Sequence, residues 1–362
     1  MDKKKLTFEA IAIKDDVGYA SDYNRNSLFK VDMKTGECTF IRLFDDEPVN
    51  LRRLHCTAVW IDKKIYFIPG SGNKIAVFYP EDNSIESIQI PLPKSKQFSF
   101  YKSQFKFIRA VKYKENLWLI PCSYPGILKL NMQTKKIQVL DKWLENDTYF
   151  FRAGLYVNDN KIVIANGKSN AVLNFDMEKE SGNIIHIGSE NNGVMSICKE
   201  GDVYWFAPRL PGSIVAWNPL TDTVTEFDEY PQEFESGKIV FSYVYSLKNK
   251  IFFLPAKANK AIVFNNGNLE IEKNILWKEN NQSTLEYLFE TEEERYFRET
   301  GIDENDRYIK IGKRDNVLSE YDFYFLDDGK RDSLMIESMA SNNEIVIENK
   351  HIGLNEFIRG LM

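Results

Sequence analysis

The chain has 362 residues, is 43% hydrophobic and 28% charged, and carries a formal net charge of -6. That composition excludes a disordered chain, and the negative balance argues against nucleic acid as the main partner, because phosphate binding needs a basic field. No stretch approaches the roughly 18 continuous apolar residues of a membrane helix, and three histidines are too few for a His-rich catalytic metal site.

The opening MDKKKLTFEAIAIKDD has lysines but no apolar h-region, so no signal peptide is expected there. A cytoplasmic location follows as an expectation. Cys38, Cys56, Cys122 and Cys198 are far apart, without CxxC spacing, and read as buried free thiols.

An apolar strand is predicted at 8–13, with counterparts at 54–60, 107–111, 150–156, 194–198, 241–247 and 285–289. Each is followed by a second strand that ends at an aligned position: Ala20, Pro69, Pro121, Asn166, Pro208, Pro255 and Gly312. These positions recur 42 to 57 residues apart. A third strand, an Asp or Asn turn and a fourth strand complete each unit, as in SLFKVDMKTGECTFI, GILKLNMQTKKIQVL and SIVAWNPLTDTVTEF. The Asp or Asn opens the turn because its side chain can bond the backbone two residues on. The stretch 91–104 reads as a long link, and 290–306 as an acidic insertion inside the seventh unit.

Four-stranded units repeated at this period, with no long helix, predict an all-β fold, a β-propeller. Seven blades are favoured; six plus a C-terminal appendage is the alternative. The expected division is a propeller over 1–340, then a strand and short helix packed on it over 341–362. The scattered tryptophans, Trp118 and Trp205 among them, are expected to pack between blades.

The units resemble those of the Kelch, YVTN and streptogramin-lyase propellers, whose blades also end in strand, Asp, turn, strand. The Kelch double glycine is replaced here by Pro208-Arg209 and its counterparts, and the Trp-Asp pair of WD repeats is absent. Streptogramin lyases perform a metal-assisted elimination with His and Glu. No such constellation can be matched here, so no catalytic residue is carried over.

The resemblance implies that the loops between second and third strands share one face with the start of each innermost strand. Arg25, Lys74, Tyr124, Lys168, Arg209, Lys257, Lys313 and Arg314 fall on or beside those loops, and Arg53, Arg109 and Arg152 near the starts of inner strands. The ligand-binding candidates are thus Arg25, Arg53, Lys74, Arg109, Tyr124, Arg152, Lys168, Arg209, Lys257 and Arg314. Guanidinium groups offer paired donors to carboxylate or phosphate, and a basic funnel would focus the field. His55 is the weak catalytic candidate. The expected function is a non-catalytic module binding an anionic ligand: a phosphorylated or acidic sugar, another glycan, or an acidic protein segment. The alternatives are a lyase or isomerase acting on a carboxylate in the same funnel, and a protein scaffold. No cofactor is expected, a divalent metal staying open, and neither nucleic acid nor membrane is an expected partner.

Overall fold

The computed structural model describes residues 3–45, 47–92, 105–142, 155–190, 192–273, 275, 284–300, 307–326 and 329–341. They form seven four-stranded antiparallel blades in a ring: blade one at 8–42, two at 55–89, three at 107–140, four at 155–186, five at 194–227, six at 241–271 and seven at 284–320. The fold is a seven-bladed β-propeller. One helix is described, α1 (Lys330–Ser341). No described helix is long and apolar enough to cross a membrane.

Burial across each blade explains the sequence pattern. Second strands such as Asn116–Pro121 and Lys250–Pro255 are covered on both faces by neighbouring blades and read as continuous apolar runs. The outermost strand of blade five, Thr223–Phe227, is exposed along almost its whole length. Seven clusters of buried apolar side chains fill the seven blade-to-blade interfaces, so the core is a ring of slabs rather than one centre. Trp118 meets Phe175 edge-on between blades three and four, and Trp205 packs on Phe264 between blades five and six. All four cysteines are buried and free.

An early and a late segment of the sequence are knitted together at blade one. Lys3–Leu6 pairs antiparallel with Phe323–Leu326. The latter runs parallel to the outer strand of that blade through Tyr324↔Glu37 and Phe325↔Cys38.

Blade seven departs from the sequence alignment. The stretch read as an acidic insertion supplies its second strand, Glu294–Thr300, and Arg307–Gly312 is its third. Gly312 therefore ends a third strand, and Lys313 and Arg314 lie in the turn to the fourth, on the face opposite the expected one. Lys313 Nζ accordingly reaches Glu290 at the far end of the inner strand. Of the strand and short helix expected over 341–362, all but residue 341, which ends α1, lies outside the described residues.

Turns follow simple side-chain chemistry. The Asp32 carboxylate accepts the Lys34 and Thr35 amides at 2.8 and 3.0 Å, and Asn131 and Asp176 repeat the motif. Those amides hold the Asp32 carboxyl below its ordinary range. In blade six the hairpin tip is Asn266-Gly267, both at positive φ (50° and 88°), as a type I′ turn demands. A Cβ on Gly267 would meet nothing within 4 Å, so Gly267→Ala tests the backbone alone. The expected loss is about 1 kcal/mol, read as a shift in the denaturation midpoint with unchanged slope.

On the upper face, which carries the second-to-third loops, an asparagine ends the loop and grips the link to the next blade. Asn26 donates to the carbonyls of Phe44 and Glu47, both at 3.0 Å, and accepts the Phe44 amide at 2.8 Å. Asn170 and Asn259 grip Gly188 and Glu233 in the same way. In blade five the position is Gly212, and Asn192 reaches in from the link instead, donating to Ser213 O at 2.7 Å. These clamps hold the rim around the axis.

Candidate functional site

The inner strands position the axial side chains through a repeated register slip. In blades one, two, three, five and six, the pairing with the second strand slips after the first residue of the inner strand. The slip is a β-bulge, and bulges re-aim side chains. In blade one it leaves Phe8 and Ala10 fully buried, while Glu9 between them turns toward the axis.

Side chains from several blades meet there. Arg53 donates Nε to Glu9 Oε2 at 2.8 Å and Nη2 to Oε1 at 2.7 Å, a two-pronged pair. Its guanidinium also lies 3.9 Å over Phe105 and 5.4 Å from the Tyr23 ring. Arg298 also meets Tyr23, 4.4 Å from the ring, and donates to Glu286 Oε2 at 2.5 Å. Burial pushes the Glu9 carboxyl above its ordinary range, and Arg53 partly opposes this.

Deeper along the axis, the Arg109 guanidinium of blade three lies 5.0 Å from the Tyr287 ring of blade seven. Blades three and seven are not neighbours, so this contact crosses the axis. Tyr287 in turn stacks on Tyr243 of blade six at 4.4 Å and 7°. The Tyr243 hydroxyl donates to Glu290 Oε2 at 3.1 Å. A guanidinium and two phenols thus form a layered floor beneath the upper mouth. Burial raises the titration of both phenols, so at neutral pH they are donors, not bases. Arg109 forms no ion pair with a described carboxylate, and its guanidinium lies against Tyr287.

Of the expected residues, then, Arg53 and Arg109 converge on the axis. Lys74 opens the third strand of blade two beside its upper-face loop, and Lys168, Arg209 and Lys257 stand on the upper-face loops of blades four, five and six. Arg25 faces α1, 3.7 Å from Asp332. Tyr124 is buried, stacked on Phe107 at 5.0 Å, and its hydroxyl donates to Pro91 O at 2.8 Å. Arg314 is on the opposite face. Arg152 lies outside the described residues.

His55 is walled off between blades one and two. Its ring lies 4.3 Å from Phe44 and 5.4 Å from Phe67, and Nδ1 is 2.9 Å from Ser21 Oγ. Burial pushes it down to about 3, so it is neutral at ordinary pH. It serves the interface rather than the axis.

Sequence reasoning missed Glu9, Glu286, Arg298, Tyr243 and Tyr287. The signal was a column: Arg109, Tyr243 and Tyr287 each stand near the start of an inner strand, where Ala10, Thr57 and Ser196 are small. Among the described residues, no three His, Cys, Asp or Glu side chains gather as metal ligands. The axial group thus sets three guanidiniums and two phenols beside Glu9, Glu286 and Glu290, with Arg109 outside the ion pairs.

No family model matches the chain, and no curated protein matches it. Solved structures do match. A virginiamycin B lyase from Staphylococcus aureus, solved as a catalytically inactive form with quinupristin, superposes with a TM-score of 0.58 at 16% identity, over 82% of this chain and 95% of that one. A streptogramin B lyase gives 0.57 at 14% identity, over 88% and 96%. BamB from Moraxella catarrhalis gives 0.54 at 12% identity, over 85% and 86%. At such identities the likeness is one of fold.

Proposed function

We propose that this propeller is a non-catalytic binding module that takes an anionic small molecule, such as a phosphorylated or acidic sugar, at the upper mouth of its axis. The observation that carries this reading is Arg109. Its guanidinium sits across the axis on an aromatic face, without an ion pair to a described carboxylate. Arg53 and Arg298, by contrast, already hold Glu9 and Glu286. A carboxylate or phosphate that reaches the floor from the upper mouth would find there, in Arg109, paired donors not already held by a described carboxylate. Tyr23 and Phe105 supply an apolar flank for the body of such a ligand, in keeping with sites that mix aromatic walls and few charges.

The test is a thermal-shift screen of sugar phosphates and uronic acids, with acidic peptides as a separate arm, at low and high salt. A ligand at a hundred times its dissociation constant adds about 2.7 kcal/mol. Arg109→Ala is expected to weaken binding about 10- to 100-fold, the worth of hydrogen bonds to a charged group, while the protein stays folded. Binding that survives Arg109→Ala unchanged, or silence across the small anions, would defeat the reading. A response confined to acidic peptides would replace the small molecule with a protein segment.

A further inference from the structure

A second, lysine-lined groove lies on the face opposite the axial mouth. The first-to-second turns of blades two and three and the third-to-fourth turn of blade three enclose an open groove of about 430 Å³. That volume falls in the range of small-molecule sites. Lys64, Lys112, Lys114 and Lys135 line it, against two carboxylates, Asp62 and Glu115. Within the lining the lysines outnumber the carboxylates, and Glu178 and Glu86 just outside it pair with two of them.

The lysines are set in place from outside the groove. Lys114 Nζ bonds Glu178 at 2.6 Å, and Lys135 Nζ bonds Glu86 at 2.5 Å. Neither glutamate belongs to the lining, so each draws its lysine to the rim. Glu86 also accepts the Tyr79 hydroxyl at 3.2 Å, and Lys64 lies 5.4 Å from that ring. Glu115, itself on the lining, accepts from Asn116 Nδ2 at 3.2 Å. Lys112 is exposed, and no described carboxylate pairs with it. The ion pairs at the rim are solvent-exposed and weak, so an arriving anion competes with them at little cost. Tyr66 and Met132 add apolar surface to the lining.

We propose that this groove binds a small polyanion carrying at least two phosphate or carboxylate groups, bridged between Lys112 and the Lys114–Lys135 rim. This site is independent of the axial reading. The test is calorimetric titration of the full chain with inorganic pyrophosphate and, separately, citrate, at low and moderate salt. The expected result is saturable binding of one equivalent, weakened by salt, retained in Arg109→Ala and weakened at least tenfold in Lys112→Glu/Lys114→Glu. Both lysines are exposed, so the double variant is expected to fold, and its circular dichroism checks this. Lys112→Arg keeps the charge and is expected to keep binding. Tighter binding of pyrophosphate identifies a phosphate site, and tighter binding of citrate a carboxylate site; either supports the groove. Silence with both anions overturns it. So does binding indifferent to the double substitution, lost in Arg109→Ala, or lacking a defined stoichiometry.

Discussion

A His55→Gln protein is expected to lose less stability than the parent on acidification, the gap reaching about 3 kcal/mol by pH 4. The cause is the refusal of buried His55 to take a proton. In the unfolded chain it titrates near 6.5, whereas in the fold burial between Phe44 and Phe67 pushes it down to about 3. The stability it contributes is therefore present above pH 6.5 and drains away as pH falls toward 3, at about 1.4 kcal/mol per pH unit. Asp22 acts with the opposite sign. Burial raises its carboxyl from 3.8 to about 6, despite the Asn24 amide at 2.9 Å and Arg331 at 3.5 Å. Its share of stability is full below pH 3.8 and lost as pH rises through 6. Between pH 4 and 6 the two slopes largely cancel. His55→Gln should unmask a rise on acidification, and Asp22→Asn a fall. Urea unfolding of all three proteins at pH 7, 5 and 4 reads this directly. Parallel pH profiles would mean that neither group is coupled to folding as its burial implies.

Asn26→Ala is expected to cost about 3 kcal/mol. Asn26 is 1% exposed, and its amide closes three hydrogen bonds with Phe44 and Glu47. Alanine would leave an N–H and two carbonyls of the blade-one-to-two link without those partners, and unpaired buried groups of this kind cost about 1–3 kcal/mol each. Some of that loss is recovered if water enters. Asn26→Asp should fare no better, because a carboxylate oxygen would then face two carbonyl oxygens. The measurement is the denaturation midpoint together with hydrogen exchange at the Phe44 amide, which should speed up in the variant. An unchanged midpoint would show that the link holds its shape without the clamp.

Much of the fold could be read from the sequence because strand type tracks burial. Runs such as IYFIP and LWLIP are apolar throughout, since blades cover both their faces. Blade seven defeated that logic. Its second strand buries Arg295, Arg298 and Glu299 beside aromatic rings and opposite charges, so no apolar run marks it. The alignment slid onto the next apolar segment, YIKIG, and carried Lys313 and Arg314 to the wrong face. The site was read in part for a similar reason. Arg53 and Arg109 stand out as charges beside inner strands, whereas Glu9 and Glu286 look like ordinary strand alternation. Tyr243 and Tyr287 look like packing aromatics. Only the register slip and contacts between distant blades bring these side chains together, and neither is written locally.

The pairing of Lys3–Leu6 with Phe323–Leu326 sets a timetable for synthesis. Blades two to six can form in the order in which they leave the ribosome, since each rests on sequence neighbours. Blade one cannot be sealed until the chain beyond Phe323 has emerged. Until then the nascent chain carries Phe8 and Phe29 without the Phe323 and Phe325 rings that later cover them. The emergence of Phe323–Leu326, rather than early elongation, is then the stage up to which this protein most needs a chaperone's cover.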